Sequence, residues 1–288
     1  MRRTHVPRSG NGAALALLML VLLTGCNQQG QNNSGSSTKT EEKGAFSQIR
    51  KDGVIRVGYV VFPPFVIQDP ETKQLSGVFV DAAKEIAAEM EAKPEFVEAT
   101  WSTFVAGLQS KKFDVSIAPT FSTIQRASAV AFTTPLLAAG NSAIVRKGET
   151  RFKTPKDIDR KGITVAVTQG EQGHEYAKAN FTKAEIKVLS QGDQNLTFSE
   201  VLAGRADVAL GDFWAVAQFA VAHPQAQDLF ANNPYNITSV AWAVRYGDLD
   251  LLTFLNTSLA CLDTSGKLDE MNRKYNANFL RPKTIWKR

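Results

Sequence analysis

The feature that most limits the folds open to this chain is an alternation of short apolar runs and amphipathic stretches that occurs twice in the same order. The first series holds the strand-like runs 54–60, 96–97 and 115–118. Between them lie two helix-like stretches, 81–90, with Ala82, Ile86 and Met90 on one face, and 102–110, opened by Ser102 as its cap. The second series repeats the order, with strands at 163–167, 186–189 and 207–210 and helices at 172–180 and 195–205. Each series reaches its last strand through a basic link ending in Asp: Lys111-Lys-Phe-Asp114 and Gly204-Arg-Ala-Asp207. Such alternation builds α/β layers around mostly parallel strands. Two copies imply two similar lobes. Further strands are expected at 129–133, 142–146 and 240–244, and helices at 213–222, 249–261 and 268–275. In α/β sheets small ligands bind beyond the carboxyl ends of strands, where loops gather. Arg126 and Asp212 both follow such ends.

Arg126 stands about one helical turn after the strand 115–118, in Ser122-Thr-Ile-Gln-Arg126. Its planar fork of donors suits a carboxylate held by two parallel hydrogen bonds. A lone arginine can equally serve as a surface ion-pair partner, and the local sequence leaves both uses open.

The first 45 residues read as targeting and tether, not fold. Arg2, Arg3 and Arg8 form a basic start, and 13–23 is an unbroken apolar stretch too short to span a bilayer as a helix. It ends in Leu23-Thr24-Gly25-Cys26, which resembles the lipobox of bacterial lipoproteins. That resemblance implies cleavage before Cys26, lipidation of its thiol, and enough acyl chains for stable anchoring. Residues 27–44 hold no apolar side chain able to pack and are expected to be a disordered tether reaching about 23 Å root-mean-square. The expected location is therefore the cell envelope, with the folded part held at a membrane surface.

The formal charge of +5 overstates the mature chain. Without residues 1–25 it has thirty basic side chains against 28 acidic ones, scattered rather than striped, which gives no footprint for nucleic acid. His174, His223, Cys26 and Cys261 form no spaced cluster, so neither a structural metal nor a cofactor is expected. Cys261 lies in an apolar run, where a buried, inert thiol is the default.

From about residue 46 to 280 the chain resembles the family-3 extracellular solute-binding proteins of ABC transporters, the amino-acid-binding group. The resemblance rests on an ordered set: Arg56-Val-Gly-Tyr59, Pro63-Pro-Phe65, Gly77-Val-Phe-Val-Asp81, Trp101, Lys112-Phe-Asp114, Ser122–Arg126, Phe132-Thr-Thr-Pro135, Gly204–Asp207 and Gly211-Asp212. It implies an α/β, two-lobed periplasmic-binding-protein-like fold with the lobes joined by two hinge strands. The implied division is 1–25 signal peptide, 26–45 lipidated cysteine and tether, 46–138 and 238–288 lobe 1 with the tail, and 139–237 lobe 2. It implies a binding protein and not an enzyme, a monomer that captures an amino acid and delivers it to a membrane permease.

By the same resemblance Arg126 grips the ligand carboxylate and Asp212 its ammonium. Trp101 and Phe62 pack on the ligand side chain, Tyr59 stands at the end of the first strand beside them, and the loop 169–173 offers helix-terminal amides. Asp81 is expected as a helix cap, Phe65 as core, and Asp114 and Asp207 as loop braces. Two departures stand out. Phe121 replaces the usual hydroxyl five residues before the arginine, with Thr120 beside it aimed elsewhere. Glu171-Gln172 replaces the usual Thr/Ser in the second-lobe loop. Glu171 either turns outward or meets a cationic group, which points to a ligand with a basic or aromatic side chain. An enzymatic alternative shares this fold: the segments 177–184, 204–207 and His223-Pro224 resemble cyclohexadienyl dehydratases, whose chemistry needs a general acid near a carboxylate-gripping arginine. Glu171 and His174 are the candidates for that acid.

Overall fold

The computed structural model describes residues 44–190 and 193–277. The signal, lipobox and tether features, Cys26 among them, lie outside the described residues. In chain order the elements are α1 (Ala45–Asp52), β1 (Val54–Tyr59), β2 (Ile67–Gln68), β3 (Leu75–Ser76), α2 (Val78–Glu89), β4 (Lys93–Glu98), α3 (Phe104–Gln109), β5 (Val115–Phe121), α4 (Ile124–Ala127), β6 (Ala131–Phe132) and β7 (Leu137–Arg146). A 3₁₀ turn (Pro155–Ile158) follows, then β8 (Thr164–Thr168), α5 (Gln172–Asn180), β9 (Glu185–Leu189), α6 (Gln194–Leu202), β10 (Val208–Asp212), α7 (Phe213–Ala222), β11 (Ala226–Asp228), β12 (Tyr235–Val244), α8 (Leu249–Thr264) and α9 (Lys267–Lys274).

The principal sheet runs β4-β1-β5-β12-β7-β10-β8-β9 and reads alike from either edge. Three parallel strands, β4-β1-β5, form one half, and β9-β8-β10 form the other. β12 and β7, each ten residues long, lie between them and antiparallel to each other. β12 also pairs with β5, and β7 with β10. These two strands run through both halves, which makes the molecule two-lobed. Their outer portions look like loop in the sequence, because Ala138-Ala-Gly-Asn141 and Asn236 have weak strand preference. The expected strands at 142–146 and 240–244 are therefore only the ends of longer ones.

Each lobe buries its own apolar core. Phe65, Phe79 and Trp242 are fully buried in the first, where α2 lays down Val78, Phe79, Ala82, Ala83 and Ile86. A smaller cluster there holds Phe104 and Phe113. In the second lobe Phe152, Ile158 and Val165 form one cluster, and Phe198, Val201 and Phe219 another. Burying one such aromatic contributes about 1.5–3 kcal/mol.

The two Asp links are matching braces. Asp114 Oδ2 accepts from the Arg56 amide at 2.9 Å and Oδ1 from its guanidinium at 2.7 Å. Asp207 Oδ2 accepts from the Thr164 amide at 3.0 Å and Oδ1 from Arg151 at 2.9 Å. Each ties the start of its lobe's first strand to the approach of the third.

Some local expectations are corrected. The helix of Asp81 begins at Gly77, so Asp81 lies within the first turn rather than capping it. Its carboxylate accepts from Lys274 and Tyr275 instead. Thr103, not Ser102, precedes α3. The 129–133 strand shrinks to two residues. Cys261 is exposed, because the buried stripe of α8 runs through Leu251, Leu255, Leu259 and Leu262 and leaves it on the outer face. Among the described residues no helix is long and apolar enough to cross a membrane, and no group of three His, Cys, Asp or Glu could hold a metal.

Candidate ligand-binding cleft

Arg126 enters the cleft from the first lobe on the short helix α4, whose N-cap Thr123 accepts the Arg126 amide through its side chain at 3.2 Å. The guanidinium donates to the carbonyl of Phe121 at 3.2 Å and to that of Gly170, on the second lobe, at 2.7 Å. It lies 5.7 Å above the Phe104 ring, within cation–π range. Burial pulls its pKa down, against the pull of Glu175 and Glu171, yet no carboxylate of the described residues stands within ion-pair distance. The backbone carbonyl of Phe121 thus accepts from the arginine at the position where the sequence departs from the resembled family's usual hydroxyl.

Facing it from the second lobe are two acids. Asp212 ends β10 and caps α7: Oδ1 accepts the amides of Trp214 at 2.9 Å and Ala215 at 3.1 Å. Its Oδ2 accepts from Gln194 Nε2 at 3.0 Å. The residue is 5 % exposed, and burial pushes its pKa up to about 6 despite those hydrogen bonds. Glu171 immediately precedes α5, is 4 % exposed, and has no hydrogen-bond partner at Oε1. Burial raises its pKa well above the carboxylate range, the charge of Asp212 adds to that, and Gln194 and Arg126 oppose it.

The wall between them is aromatic. Phe62, Trp101, Phe121 and Trp214 line the cavity together with the charged groups, Gln172 and Gln194, and Pro119 and Val240 complete it. Trp101 meets Phe62 edge-on at 5.8 Å, and Phe62 stacks on the core residue Phe65 at 6.2 Å. The cavity volume is about 20 Å³, room for little more than one water. The second lobe approaches the first closely at Gly170, whose φ is +80° and where a Cβ would stand 2.7 Å from the Trp101 carbonyl and the Ser102 amide.

The structure therefore brings together Arg126, Asp212, Trp101, Phe62, Phe121, Glu171 and Gln172. It keeps two candidates away from the cavity lining. The Tyr59 ring packs on Phe96 and its hydroxyl accepts from Gln68. The Thr120 hydroxyl donates to the Ala118 carbonyl and is fully buried. His174 accepts the Gly170 amide through Nδ1 and so braces the loop from outside the cavity. Sequence reasoning missed Gln194 and Trp214. Both sit at the first turns of helices that start from the carboxyl ends of strands, and that position was the available signal.

The model of the bacterial extracellular solute-binding proteins, family 3, matches residues 55–278. The chain belongs to that family. Among curated family-3 relatives, the lysine/arginine/ornithine-binding periplasmic protein of Escherichia coli (strain K12) is 28 % identical, over 77 % of this chain and 86 % of that protein. The cyclohexadienyl dehydratase of Pseudomonas aeruginosa is 26 % identical, over 82 % and 84 %. Among solved structures, an ancestral amino acid-binding protein described as a precursor of cyclohexadienyl dehydratase superposes with a TM-score of 0.72 at 29 % identity, covering 81 % of this chain and 99 % of that one.

Proposed function

We propose that this family-3 protein is the substrate-binding lipoprotein of an ABC importer, capturing an amino acid between its lobes and delivering it to a membrane permease. The observation that carries this reading is a guanidinium without a carboxylate partner, facing buried carboxylates across an aromatic-walled cleft. A zwitterion needs one fixed cation and one fixed anion, each partly desolvated so that pairing discriminates. In this reading Arg126 holds the carboxylate, Asp212 the ammonium, and Phe62, Trp101 and Phe121 the side chain. Segments 46–138 with 238–288, and 139–237, act as the lobes, swinging about β7 and β12. An amino acid cannot enter a cavity of about 20 Å³, so the lobes part to admit it. Cys26 carries the lipid anchor, residues 27–44 the tether, and the protein works as a monomer at the cell envelope.

A thermal-shift screen of the twenty amino acids tests this. A ligand at about 100 times its Kd adds about 2.7 kcal/mol, and Arg126→Ala and Asp212→Ala should each remove that shift. An amino acid that still stabilises both variants would show the site to be elsewhere.

A second reading is favoured by one observation: a buried carboxyl group, Glu171, whose pKa burial raises and which shares the cavity lining with Arg126, has the placement of a general acid. A dehydratase of prephenate or arogenate would use it to protonate the leaving hydroxyl. Incubation with either substrate decides: appearance of phenylpyruvate or phenylalanine, absent in Glu171→Gln, establishes the enzyme.

A further inference from the structure

The cleft holds one more carboxyl group than a simple zwitterion needs. Its lining holds one cation, Arg126, and two carboxyl groups, Asp212 and Glu171. Asp212 already accepts three N–H groups, whereas Glu171 keeps Oε1 bare although nearly all of the residue is buried. The neutral lining leans the same way, for the buried carbonyl oxygens of Gln172 and Gln194 are also without partners. A buried acceptor left bare costs free energy, so three of them around one cavity require donors from whatever occupies it. Beyond Phe62 and Trp101 the cleft continues into an anteroom of about 450 Å³, whose charged lining among the described residues is Glu98 and Asp193. The depression on the opposite side of Trp101, by contrast, holds His174 and Glu175 next to Arg126.

We infer that the cleft is built for an amino acid bearing a second positive charge, and that Glu171 is the residue that selects for it. The inference rests on the amino-acid-binding reading and names the ligand class. Arg126 takes the carboxylate and Asp212 the α-ammonium. The side-chain ammonium or guanidinium supplies donors to Glu171 and the two amide oxygens, or passes on toward the acids of the anteroom. Binding a cation there favours the ionised form of Glu171, so the ligand's arrival lowers that group's affinity for a proton. Besides its own burial, the groups that act on that carboxyl are Asp212 at the end of β10, Gln194 and Asp193 at the start of α6, and Arg126 on α4.

Isothermal titration of lysine, arginine and glutamine into the wild type, Glu171→Gln and Glu171→Thr tests the inference. The wild type should bind lysine or arginine about tenfold or more tighter than glutamine, and both variants should lose that preference because lysine and arginine weaken about tenfold more than glutamine does. Titration of lysine in two buffers of different ionisation enthalpy should show more proton release from the wild type than from Glu171→Gln. A wild type that prefers glutamine or another neutral amino acid overturns the inference and leaves the amino-acid reading standing. Equal weakening of lysine and glutamine in the variants also overturns it. Failure to bind any of the twenty amino acids overturns both. Should Glu171→Gln not fold, the wild-type ranking and the Thr variant decide.

Discussion

The two lobes are alike where they are held together and unlike where they face each other. Asp114 and Asp207 brace equivalent strands with the same pair of contacts, a backbone amide and an arginine. Across the cleft, however, the first lobe presents Arg126 with the aromatic surface of Phe62, Trp101 and Phe121. The second presents Glu171, Asp212, Gln172 and Gln194. One architecture used twice thus supplies a scaffold, and the residues at its strand ends place opposite charges on the two halves.

The sharpest way to break this comparison is to remove the cation. Arg126→Ala should weaken amino-acid binding by about 2–5 kcal/mol, measured by calorimetry, because it leaves buried acids without their counterpart. Unchanged affinity would mean that the first lobe does not supply the cationic half of the site.

Removing the anion should do something different. The pKa of Asp212, about 6 against an ordinary 3.8, means that the folded state binds this proton more tightly than the unfolded chain. Stability on this account is greatest below pH 4, falls as pH rises from about 4 to 6, and stays reduced above that. Asp212→Asn keeps a capping side chain and removes the cost. It should raise stability at pH 7 by on the order of 3 kcal/mol, leave it unchanged near pH 3, and still lose the ligand-induced shift. Denaturant melts at the two pH values check the sign, and a variant less stable at pH 7 would contradict it.

Gly170→Ala probes the contact between the halves. Its left-handed backbone strains any side chain, and the added carbon meets the Trp101 backbone. Solution scattering should show a larger radius of gyration with saturating ligand than for the wild type. An equally compact liganded variant would show that this contact does not limit closure.

Smallest, and meant to test likeness, are the braces. Asp114→Ala and Asp207→Ala should each cost about 1–3 kcal/mol in denaturant melts and leave ligand affinity unchanged, since neither touches the cleft. A large affinity loss in only one of them would end the equivalence.

Much of this was legible in the sequence because local and global signals agreed. Helices 172–180 and 213–222 begin and end as their patterns indicate, and Asp212 was visible as an acid at a strand-to-helix junction. What was not legible depends on partners distant in sequence. The outer portions of β7 and β12 are strands because they pair with each other, not because Ala138-Ala-Gly-Asn141 favours extension. Thr120 and Tyr59 sit beside the cleft in sequence, yet the strand's alternation and the packing on Phe96 turn them away. The direction of Glu171 could not be read from the loop alone. Gly170 sets it, by turning the chain where the second lobe meets Trp101.

The hydrogen bond from Arg126 to the Gly170 carbonyl carries a kinetic consequence. In the proposed reading a carboxylate arriving at Arg126 competes with this clasp, so capture would be an exchange and not a simple addition. On that reading molecules with the clasp made would not be competent to bind, and the apparent Kd would be the intrinsic value divided by the fraction that is open. If the clasped form dominates about tenfold, affinity falls by about the same factor, and the association rate becomes a measure of how often the clasp lets go. Tuning that one donor between a carbonyl and a carboxylate lets the protein set its working concentration range without altering any group that recognises the ligand's side chain.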